Sequence, residues 1–173
     1  VESYPSLSAD YHVQAADGTW SGQPLAGFTS MISSFSETMN AGSGTSAWAA
    51  YDIWLGNSGT ADEVMIQHDF AGNGACTPVA EATFGGAGGV PVQPWHLCQF
   101  GSELVWKLGT DDARQVSEQS GSVDIGAMLT WLQGNGYIAS GSQLNYIGYG
   151  WEICSTGGAA ENFAVSGFSI TAS

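Results

Sequence analysis

The stretch "YDIWLGNSGTADEVMIQHDF", residues 51–70, sets two runs of aromatic and branched aliphatic residues on either side of a turn rich in Gly, Asn, Ser and Thr. Short apolar runs bounded by such residues are the pattern of antiparallel strands joined by a turn. Side chains two apart share one face of a strand. "YDIWL" therefore places Tyr51, Ile53 and Leu55 on one face and Asp52 and Trp54 on the other. In "EVMIQHDF" the same rule turns Val64, Ile66, His68 and Phe70 inward, and Glu63, Met65, Gln67 and Asp69 outward. A face that combines carboxylates with Trp54 and Met65 is more than a solvated one.

The same kind of run recurs along the chain. Strands are predicted over residues 49–55, 63–70, 79–84, 92–100, 104–108, 144–154 and 162–171. In "LNYIGYGWEIC" alternation sends Ile147, Tyr149, Trp151 and Ile153 to the core and leaves Tyr146, Gly148, Gly150, Glu152 and Cys154 opposite. One segment has a different period: "SVDIGAMLTWLQGNGYI" places Ile125, Met128, Leu129 and Leu132 at spacings of three and four. That is a helix, with Asp124 as an acid at its first turn and Gly134 as its stop. Residues 28–35 carry a weaker helical signal, with a strand or a turn as the other readings. The expected fold is all-β, a two-sheet antiparallel β-jelly roll of the concanavalin-like sandwich type with one packed α-helix. With no internal repeat or linker, residues 1–173 are expected to form a single domain.

Charge restricts the partner. Lys and Arg together number 2 against 16 acidic residues, a formal net charge of -14. Such a field repels nucleic acid, anionic membranes and acidic polysaccharides, and leaves a neutral partner. No apolar run has the length of a membrane span. The chain starts at Val1 with no signal peptide, so it reads as a processed product or a fragment of a secreted protein, and as a monomer. Cys76 and Cys98 lie near opposite ends of a glycine-rich segment; they are disulfide candidates, with three buried thiols as the other reading. His12, His68 and His96 are scattered, no metal-ligand spacing is present, and no cofactor is called for.

Three predicted strands each offer an outward carboxylate, on Asp52, Glu63 and Glu152, beside the aromatic rings of Trp54 and Tyr146. An aromatic-lined sheet face with a few polar groups fits a carbohydrate cleft. Two carboxyl groups in such a cleft can hydrolyse a glycosidic bond if one is ionised and the other protonated. A spacing of roughly 5 Å retains anomeric configuration, and roughly 6.5–9.5 Å inverts it. Periodicity alone favours the plainer reading, exposed acids on an acidic protein with 16 of them.

The segments "VESYPS", "AAYDIWL", "DEVMI", the helix region, and "GYGWEICSTGG" through "FAVSGFSITAS" occur in an order that resembles glycoside hydrolase family 12, the small secreted endo-β-1,4-glucanases. The resemblance implies that Glu63 is the nucleophile, Glu152 the general acid/base, and Asp52 the residue that hydrogen-bonds the nucleophile. It makes Met65 the cleft methionine and puts Gln67 where the family usually has a sugar-stacking Trp. Trp54, Met65, Gln67 and Tyr146 are the expected substrate-binding residues. It also implies several strands before the "SYP" segment that this chain lacks. The implied activity is retaining cleavage of internal β-1,4-glucosidic bonds in cellulose-type glucan, mixed-linkage β-glucan or xyloglucan. The competing function on the same fold is a non-catalytic glucan-binding or recognition protein.

Overall fold

The computed structural model describes residues 3–59, 61–72, 74–110 and 117–173. In chain order the elements are β1 (Ser6–Asp10), β2 (His12–Gln14), β3 (Trp20–Pro24), β4 (Met31–Asn40), β5 (Ser46–Gly56), β6 (Glu63–Ala71), β7 (Ala80–Phe84) and β8 (Gln93–Phe100). They continue with β9 (Glu103–Leu108), β10 (Ser120–Asp124), α1 (Ile125–Gly134), β11 (Gln143–Ser155) and β12 (Asn162–Ala172). The larger sheet runs β2-β3-β11-β5-β6-β9-β8-β7, with β1 also paired to β11; the smaller runs β10-β4-β12. The predicted antiparallel pairing has one exception, since β6 and β9 run parallel. The β7–β8 hairpin between them supplies the crossover that a parallel pair requires.

The two sheets face each other across one core. Tyr51, Ile53, Val64, Ile66, Leu97, Trp106, Ile147 and Tyr149 line the inner face of the larger sheet. Met31, Phe35 and Val123 meet them from the smaller sheet, and Ile125, Met128, Leu129 and Leu132 from α1. The Asp124 carboxylate accepts from the Ala127 N–H at 2.9 Å, so it caps the helix from just outside the first turn. The larger sheet's other face, which carries Asp52, Glu63 and Glu152, is turned away from this core.

One open reading is settled and one expectation is corrected. The helical signal over residues 28–35 ends as strand: Met31, Ser33, Phe35 and Glu37 are buried in alternation along β4. β4 is the central strand of its sheet, and pairing on both edges outweighs weak local propensity. In β6, Ala49 pairs with Asp69 and Ala50 with Gln67, leaving His68 as the extra residue of a bulge. Beyond it the alternation shifts by one. Asp69, expected outward, is buried against Glu37 of β4, and Phe70, expected inward, pairs with Trp48 on the opposite face.

Candidate active site

β11, β5, β6 and β9 lie side by side in the larger sheet. Across them Glu152 pairs with Trp48, Gly148 with Asp52, Asp52 with Met65, and Glu63 with both Trp54 and Glu103. The side chains of Tyr4, Asp52, Glu63, Met65, Glu103 and Glu152 line one cavity of about 280 Å³. Gly148 makes room for Tyr4: a Cβ there would stand 3.3 Å from the Tyr4 phenol oxygen and 3.1 Å from the Tyr146 ring. The Tyr4 hydroxyl donates to the Ala50 carbonyl at 3.4 Å. Burial first, then the charge of Asp52, keeps that phenol protonated far above its usual range.

Beside Glu63, the Asp52 carboxyl group contributes a side-chain hydrogen bond that favours the protonated form of Glu63. Burial, this bond, and the negative charges of Asp52, Glu103 and Glu152 push Glu63 up to about 8. Glu152 is also raised, first by burial and further by Asp52, against the pull of the Trp48 indole N–H that donates to its Oε2 at 2.6 Å. Glu103 is raised by burial and then by the charges of Glu152 and Asp52. The site concentrates acids where desolvation and mutual repulsion retain protons.

Of the substrate-binding candidates, Met65 lines the cavity floor. Trp54 is on the same strand face, 43% exposed and paired to Tyr146, with both rings outside the cavity lining. Gln67 is buried and lies in register with Lys107, also outside the lining. The segment after β6 packs on that part of the face. Cys76 is disulfide-bonded to Cys98 of β8, and the Lys107 ammonium donates to the Gly74 carbonyl.

Glu103 and Tyr4 escaped the sequence reading. In "ELVWKL" alternation puts Leu104, Trp106 and Leu108 inward and Glu103 outward, but the predicted strand began one residue late. Tyr4 stood inside the quoted "VESYPS" without a strand pattern to orient it. The scattered histidines also part company. The ring of His68 stacks on Phe35 at 3.7 Å in the core, and burial lowers it to about 4. His96 comes within 4.8 Å of Cys76 and Cys98, a metal-capable grouping that linear spacing conceals. Both sulfurs are engaged in the disulfide. The larger cavity beside α1, about 550 Å³, is lined by Phe28, Phe84 and Trp131, and its acid, Asp124, is the helix cap.

No family model and no curated protein matches the chain. Solved structures do. The xyloglucanase domain of NopAA, a type three effector from Sinorhizobium fredii in complex with cellobiose, is 25% identical over 99% of this chain and 76% of that one, with a TM-score of 0.70. The endo-1,4-β-glucanase CelB2 is 24% identical over 99% and 75%, with a TM-score of 0.72. An endoglucanase from Rhodothermus marinus is 22% identical over 100% and 75%, with a TM-score of 0.74. Further matches include other family 12 glycoside hydrolases, an endoglucanase and a xyloglucanase among them. The fold of this chain is the β-jelly roll of the family 12 glycoside hydrolases.

Proposed function

We propose that the protein is a secreted, monomeric glycoside hydrolase that cleaves internal β-1,4 bonds of a neutral glucan with retention of configuration. The observation that carries this reading is that Asp52, Glu63 and Glu152 line one cavity, with burial raising both glutamates. The endoglucanases and the cellobiose-bound xyloglucanase domain that share the fold support β-1,4-glucan as the substrate class.

In the first step a Glu63 carboxylate oxygen attacks the anomeric carbon while the proton of Glu152 passes to the departing glycosidic oxygen. That attack requires Glu63 in its ionised form, beside the Asp52 carboxyl group in the same cavity. In the second step the ionised Glu152 takes a proton from water as the water attacks the same carbon and releases Glu63. Two inversions restore the starting configuration.

Hydrolysis of a soluble β-1,4-glucan or of xyloglucan, followed by proton NMR, is expected to show the β anomer first at the new reducing end. Glu63→Ala should abolish turnover with the fold intact. Glu152→Ala should cost roughly 100–10,000-fold on glucan and regain turnover of an activated aryl glycoside with azide. Early α anomer would rule out retention. Binding without hydrolysis by the unaltered protein would instead establish a glucan-recognition module.

A further inference from the structure

We propose that Trp48 is a positioning residue for Glu152, holding the general acid/base by one oxygen and setting the pH at which it loses its proton. This rests on the reading of Glu152 as the acid/base. Trp48 of β5 pairs directly with Glu152 of β11, and its Nε1–H donates to Oε2 at 2.6 Å. The contact is short for N–H···O.

An indole nitrogen can donate but never accept. Bonded to Oε2, it leaves Oε1 as the oxygen that carries the proton when Glu152 is an acid. The same bond persists when Glu152 is a base, so the carboxyl group need not reorient between the two steps. Because the bond strengthens with negative charge, it favours the ionised form and opposes burial.

The indole is well placed to do this because it is itself held. It packs on the apolar cluster of Ala50, Met65, Cys98 and Val105, where Cys76 also packs. Cys76 is tied to Cys98, so a covalent link anchors the segment beside the ring. Met65 belongs both to this cluster and to the cavity lining, so Trp48 and the reacting groups share one rigid floor.

Trp48→Phe keeps an apolar ring and removes the N–H. Incorporation of β-(3-benzothienyl)alanine at position 48 removes it with the bicyclic shape conserved, should the Phe variant fold poorly. On soluble β-1,4-glucan the alkaline limb of the kcat/KM profile should move to higher pH by roughly one unit, the order expected for one hydrogen bond to a charged group. The acidic limb should stay in place. At the optimum kcat/KM on glucan should fall about tenfold or more. An aryl glycoside with a good leaving group, whose first step needs no proton, should keep its kcat/KM. Equal losses on both substrates with an unmoved alkaline limb would overturn the role of Trp48. An unaltered protein that turns over neither substrate would overturn the assignment of Glu152 itself, a result separable from the first.

Discussion

Glu103 and Glu63 occupy matched positions on the parallel pair β6 and β9, so a third carboxylate stands beside the proposed nucleophile. Its charge is one of the causes that raise Glu63, after burial and the Asp52 contact. Glu103→Gln removes that charge, and Glu63 then ionises more readily. The acidic limb of the kcat/KM profile should move to lower pH, by less than about one unit because the remaining causes persist. An unmoved limb, or a shift to higher pH, would contradict the electrostatic account. The alternation of strand side chains makes the shared face of Asp52, Glu63 and Glu152 legible in the sequence, since a period of two needs only local residues. The cause of Glu152's raised proton affinity was not legible: burial dominates and the Trp48 bond opposes it. Burial depends on what packs from elsewhere in the chain.

Elements shift the meaning of individual residues. The bulge at His68 turns Asp69 toward the smaller sheet, where it meets Glu37 of β4. Both are almost wholly buried. The Ser117 hydroxyl and the Phe70 N–H donate to Asp69 Oδ1. Burial, then the side-chain bond to Asp69, raises Glu37 from 4.5 to about 9. Folding therefore favours protonated Glu37. Its stabilising effect is complete below the unfolded value of 4.5 and is lost as pH rises toward the folded value of about 9. Between pH 7 and 9 the thermal midpoint should fall, and Glu37→Gln, which keeps a donor toward Asp69, should flatten that fall. His68 adds nothing in this window, because burial lowers its folded value to about 4. A Glu37→Gln protein as pH-sensitive as the unaltered one would show that the pair carries no proton linkage. A bulge has no dependable local signature, which is why strict alternation assigned Asp69 and Phe70 to the wrong faces. β1, β2, β3 and β10 were missed for a related reason: short strands of mostly polar or small residues are specified by their partners more than by their own residues.

At the scale of the whole molecule, two sheets enclose one apolar core and leave the far face of the larger sheet for chemistry. A formal charge of -14 over that scaffold is compatible with an uncharged polysaccharide and hostile to an anionic one. Placing the site on adjacent strands ties the carboxyl groups to the sheet's hydrogen-bond ladder, and the disulfide fixes the segment that packs beside them. The central claim is that Glu63 forms a glycosyl ester during turnover. A 2-deoxy-2-fluoro-β-cellobioside with a good leaving group slows release of such an ester more than its formation, so the intermediate accumulates. Intact-mass measurement after incubation should show the addition of one fluoroglycosyl unit, and peptide mapping should place it on Glu63. A label on Glu152 or another residue, or an unlabelled protein that goes on hydrolysing glucan, would contradict the account.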